Sequence, residues 1–241
     1  MAMRPTGTGS SGLRTMVDTI VAPAEAFESI RVVPTWGWAL AITILLSVLG
    51  SFLLVPAIQH AIVAGWPDMV AQQPALARLS PEQQHTMLAF DTKMFGFAWI
   101  FPIVTIPIVC LLGAIVMLLF NAMGRGDGTF AKFFSASCNI AVPTAGLAAI
   151  VTALIVLVRG QASFNSLTAV STALPSLAML APASNVKLIA LLAAINPFSI
   201  WAVLLTVGAM SIIGHVPRLQ AWLAAIVMFL IPALAAMAGA K

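Results

Sequence analysis

Five apolar stretches, at about 36–58, 95–123, 133–158, 197–214 and 219–237, each approach the length an α-helix needs to cross a hydrocarbon layer of about 30 Å. None carries a charge at its centre. In lipid no water satisfies the backbone N–H and C=O groups, so segments of this kind pair them internally as helices. Apolar residues make up 61% of the 241 and charged residues 7%, with a mean hydropathy of +1.06. A soluble domain carries about 25% charged residues, and a water-facing surface cannot be built from so few. The expected fold is therefore all-α: a polytopic membrane protein, a bundle of five transmembrane helices with proline kinks and an N-terminal amphipathic segment. Residues 1–34 form the expected cytoplasmic N-terminal segment and 35–238 the membrane domain.

The connections are more individual than the spans. After a flexible start through Thr15, Pro23 suits the first turn of a short helix. In that helix Val21, Phe27 and Ile30 are expected to face lipid headgroups, and Glu25, Glu28 and Arg31 to face water. Trp36 and Trp38 flank the first span, where an apolar ring with one N–H suits the membrane boundary. The main polar loop is expected between His60 and Lys93. Within it Ser80-Pro81-Glu82-Gln83 reads as a capping box with proline at the first helical position, opening a helix that continues without interruption into the second span. Pro102 and Pro107 should kink that span, and Asn139 and Pro143 should interrupt the third. Residues 161–186 read as a loop with a short helix or re-entrant piece, and Asn196 as the cap of the fourth span, which begins at Pro197.

Reaction chemistry is hard to find. Gly124-Arg125-Gly126-Asp127-Gly128 is glycine-rich, but the preceding strand and following Lys-Ser or Lys-Thr of a phosphate cradle are missing, and a tight turn is expected. His60, His85 and His215 are far apart, no HExxH or Gly-x-Ser-x-Gly occurs, and Cys110 and Cys138 sit in apolar runs where a thiol acts as a small hydrophobe. No catalytic residue, cofactor or metal is expected, and the chain is read as not an enzyme. Its 11 Lys and Arg are dispersed, so nucleic acid is not an expected partner. Their placement instead suggests orientation: Arg4, Arg14, Arg31, Arg125, Lys132 and Arg218 inside, and Arg78, Lys93, Arg159, Lys187 and Lys241 outside.

Several landmarks together resemble the Yip domain family (Ypt/Rab-interacting proteins), in particular its bacterial branch. They are Pro23-Ala24-Glu25-Ala26-Phe27 with Pro34-Thr35-Trp36, the Ser80 to Gln83 box, the Gly124 to Phe130 turn, Asn139 with Pro143, Asn196-Pro197-Phe198-Ser199-Ile200-Trp201, and Gly208 leading to Val216-Pro217-Arg218. The resemblance covers about residues 17–237 and implies a five-span bundle with a cytosolic N-terminus. For the eukaryotic relatives it also implies vesicle transport through small GTPases. That branch has an Asp-Leu-Tyr-Gly-Pro stretch and a Gly-Tyr pair, whereas this chain contains no tyrosine, so GTPase binding is not carried over.

Pumps hold ionisable groups within their spans; here the mid-span polar groups are Asn139, Ser137, Thr144, Asn196, Ser199, Thr206 and Ser211. Such groups commonly join helices by hydrogen bonds. Asn139, Pro143, Asn196, Pro197 and Trp201 are the candidate helix-packing or interaction residues, and residues 124–128 the candidate cytoplasmic turn. The expected role is non-enzymatic organisation or recruitment of partners at a membrane, and the alternative stays open: a transporter or channel passing a small solute, ion or lipid along a broken helix at Asn196-Pro197. Expected partners are membrane lipids and other membrane proteins or further copies of the chain, in the bacterial inner membrane with the C-terminus outside.

Overall fold

The computed structural model describes residues 8–182 and 185–239, so Arg4 and Lys241 lie outside the described residues. The helices are α1 (Thr8–Val21), α2 (Pro23–Val32), α3 (Gly37–Gln72), α4 (Pro74–Ala77), α5 (Pro81–Phe95), α6 (Pro102–Met123), α7 (Phe130–Ala141), α8 (Ala148–Arg159), α9 (Leu167–Ser171), α10 (Val186–Ala193), α11 (Pro197–Ile213) and α12 (Arg218–Gly239). Among the described residues there is no strand.

Among the described residues four helices are long and apolar enough to cross a membrane: α3, α6, the continuous α7–α8 rod and α12. The fifth candidate is α10 with α11, bent by 49° at Asn196. Contacts order these helices along the membrane normal. Thr35, just before α3, meets Asn139 of α7; Gly50 meets Ala149; Ala57 shares a cluster with Val156; Gly65 approaches Asn165. So α3 runs parallel to α7–α8, away from the 124–129 turn. The chain leaves α8 at that far end, yet Gly214 after α11 touches Asp127 in the same turn. The segment between them must cross back, and α12 then departs from the turn end.

Close approach has a visible cause at Gly50, where a Cβ would stand 2.7 Å from the Ala149 carbonyl carbon. Without a side chain, α3 and α8 pack backbone to backbone, as small residues allow in membranes. The main core lies toward the turn end, where Phe133, Met117, Met210 and Ile213 are fully buried with Phe27 and Ile30 of α2.

Several expectations are corrected. The start is not flexible from Thr8 onward but helical, and α1 packs on α2 and α3. Phe27 and Ile30 do not face headgroups; they are buried against the bundle, while Val21 is exposed as expected. The first span does not end near Ile58, because α3 continues through Pro56 and Pro67 for 36 residues, about 54 Å at 1.5 Å per residue. Roughly 24 Å of it extends beyond a hydrocarbon layer of about 30 Å. The helix from Ser80 does stop: α5 ends at Phe95, and a single 3₁₀ turn (Ala98–Ile100) separates it from α6. Pro102 therefore begins α6 rather than kinking it, leaving Pro107 as its internal proline. Asn139 and Pro143 do not break the third span. A π-helical turn over Val142–Leu147 absorbs the proline and joins α7 to α8, one of the local adjustments that accommodate missing N–H groups in membrane helices.

Candidate functional site

Asn139 is fully buried, and its amide nitrogen donates to the carbonyls of Thr35 and Ser135, each at 2.8 Å. The first bond ties α7 to the entry of α3, which is a packing role. Pro143 is buried in the π turn. Asn196 and Pro197 do something else. The Asn196 side-chain oxygen accepts from the N–H groups of Phe198 and Ser199, and Ser199 reciprocates to the Asn196 N–H, a complete capping box with Pro197 in the first turn. Its amide nitrogen donates to the Ala193 and Ala194 carbonyls, closing the end of α10. The residue satisfies both sides of the bend. Trp201, a turn further on, is partly buried against the main core.

The glycine-rich stretch forms a tight turn, fastened from two sides. Asn121, nearly buried, donates to the carbonyls of Gly126 and Gly128 and accepts from the Gly128 N–H. The Asp127 N–H donates to the Gly214 carbonyl at 3.1 Å, and the Asp127 carboxylate pairs with His215 at 2.9 Å. Both partners are exposed, and the hydrogen bond from His215 is the main influence holding the Asp127 carboxyl below its ordinary range. Arg125 and His215 adopt positive φ of 54° and 49°. A Cβ on Gly126 would collide with the side-chain amide oxygen of Asn121 and the backbone carbonyl of Gly214. Asn121 was not singled out from the sequence, and His215 entered only as one of three dispersed histidines; the signal was an Asn and a His close to glycine turns.

One feature joins three of the breaks. A cavity of about 400 Å³ lies between α6, the π turn, the α10–α11 bend and α12, reaching Pro232. Ser137, Thr144, Asn196, Ser199 and Thr206 line it together with apolar side chains, and no Asp, Glu, Lys, Arg or His does. Pro143, Pro197 and Trp201 border its walls in sequence without lining it. Among the described residues no group of three His, Cys, Asp or Glu is placed to hold a metal. Cys110 and Cys138 are both buried thiols in one small cluster.

Apolar helices long enough to span a membrane, free of charge at their centres, and hydrogen bonds that tie helices together define an integral, multi-pass helical membrane protein. Its sequence matches the Yip1 domain over residues 17–240, nearly the whole chain, and the protein belongs to that family. No curated protein and no solved structure matches it.

Proposed function

We propose that the protein is a non-enzymatic organiser that recruits partner proteins at a membrane. One observation carries the reading. The far part of α3 and the antiparallel α5 form a hairpin, and α5 buries none of its residues. Met87, Phe90 and Met94 recur on it at helical spacing and are 40%, 64% and 48% exposed, a surface suited to another membrane protein or a further copy of the chain. The apolar stretches at 36–58, 102–123, 133–158, 197–213 and 219–237 contain no Asp, Glu, Lys, Arg or His, so they offer no relay for a charged substrate.

We further propose the bacterial inner membrane, with the 124–129 and 214–217 turns cytoplasmic and the hairpin outside. Arg125, Lys132 and Arg218 gather at the turn end, in agreement with the excess of Lys and Arg on cytoplasmic loops.

Crosslinking in native membranes should recover partner proteins, and Phe90→Ser combined with Met94→Ser should reduce their yield. Purified protein in liposomes should give no solute, ion or lipid flux above empty vesicles. Flux that disappears with Asn196→Leu would favour transport instead.

A further inference from the structure

The cavity between α6, the π turn, the α10–α11 bend and α12 is a binding site on the evidence of its lining, its mouth and its surroundings. Its volume of about 400 Å³ falls in the usual range for small-molecule sites, about 300–1,000 Å³. Three backbone irregularities keep it open. The π turn displaces the α7–α8 rod at Pro143, the 49° bend swings α11 away from α10, and Pro232 interrupts the hydrogen bonds of α12. Small side chains on the facing helices, Ala141, Ala145, Ala202 and Ala225, leave the space between them unfilled.

Four of the five hydroxyl and amide side chains on the wall, all but Ser137, already make hydrogen bonds. The Thr144 hydroxyl donates to the Ile140 carbonyl, that of Thr206 to Ala202, and that of Ser199 to Asn196. Asn196 is spent on its two helix ends. A charged or strongly polar ligand would find no counter-charge and few free donors, and would lose its hydration without replacement. Water is poorly matched for the same reason, since apolar cavities stay dry. A hydrocarbon loses nothing on entering, and it restores dispersion contacts that the wall atoms otherwise lack.

The mouth says which hydrocarbon. Val109 of α6 is 60% exposed, and Pro232 of α12 is exposed beside Ile231 and Leu234. These are outward faces of spanning helices, where the neighbouring molecules are the chains of bilayer lipids. We infer that this cavity holds one acyl chain of a membrane phospholipid, admitted sideways between α6 and α12. The site goes beyond partner recruitment and does not depend on it.

The test uses the full-length protein in phosphatidylcholine vesicles containing a small fraction of phosphatidylcholine with a photoreactive diazirine midway along one acyl chain. After irradiation, adducts are mapped by peptide mass spectrometry. Ser137 and Thr206 are only 7% and 3% exposed, so label on them, or on Ala225, requires a chain inside the cavity. Adducts are expected there as well as on outward residues such as Leu154 and Leu157. In Ala202→Phe and, separately, Ala145→Leu, which fill the space from α11 and from the π turn, the interior adducts should be lost and the outward ones kept. Label confined to outward residues in the unaltered protein would overturn the proposal, as would interior label that survives in a filled variant that folds. Partner recovery by crosslinking should be unchanged by the fate of the interior adducts, which keeps the two proposals separable.

Discussion

Helices α2 and α5 start alike and end in opposite circumstances. Each begins with proline, carries a glutamate in its first turn and a basic residue in its last. Yet α2 buries Ala26, Phe27 and Ile30, and α5 buries nothing. The difference lies in what each meets. Gly208 on α11 leaves room for the Phe27 ring, which sits 3.3 Å from where a Cβ would be. By contrast the hydrogen bonds that fasten α5 are polar contacts at its two ends: the Gln59 amide of α3 reaches the Thr92 carbonyl, and the Gln84 amide reaches the carbonyls of Leu76 in α4 and Leu79 just after it. An aromatic side chain on a short helix near a membrane becomes core only when another helix supplies a complementary notch.

Truncation should separate the two helices most clearly. Phe27→Ala is expected to destabilise the bundle by about 3–5 kcal/mol, as for other buried phenylalanines, whereas Phe90→Ala should change stability by no more than about 0.5 kcal/mol. Denaturant unfolding in detergent micelles checks both, and equal losses would break the comparison. Next in size is Asn121→Ala, which removes the side chain that knits the turn beneath the core and should cost about 1–3 kcal/mol in the same assay. Ser80→Ala should cost about 1 kcal/mol, with faster hydrogen exchange only in the first turn of α5, because its cap bonds Gln83 and nothing in the bundle.

The smallest effect is the response to acid. The Asp127 carboxyl is depressed in the folded protein, so its contribution is complete above its ordinary value of 3.8 and is lost as pH falls through the lower folded value. Amide exchange at Asp127 should therefore speed up only below about pH 4, and Asp127→Asn should abolish that dependence. Both side chains are exposed, so salt should weaken the effect.

The spans were legible in the sequence because lipid imposes length and apolarity on them directly. So were the caps at Ser80 and Asn196, whose partners lie within three residues. What escaped depends on distant partners. Nothing local tells Phe27 that Gly208 awaits it, or Asn121 that it will hold a turn five to seven residues on while Gly214 closes from the other side. The length of α3 was missed because the polar residues from His60 onward read as a loop, yet the helix continues through them and past Pro56 and Pro67. The π turn shows the same tolerance at Pro143.

The account rests on five crossings, with the bent α10–α11 pair supplying the one that is not a single long helix. Single cysteines at Glu28, Arg125, Thr86 and Ala238, placed in a variant lacking Cys110 and Cys138, can be labelled in intact cells with a membrane-impermeant maleimide. Label is predicted at Thr86→Cys and Ala238→Cys, and at Glu28→Cys and Arg125→Cys only after the membrane is permeabilised. Glu28→Cys and Ala238→Cys reacting from the same side would contradict it.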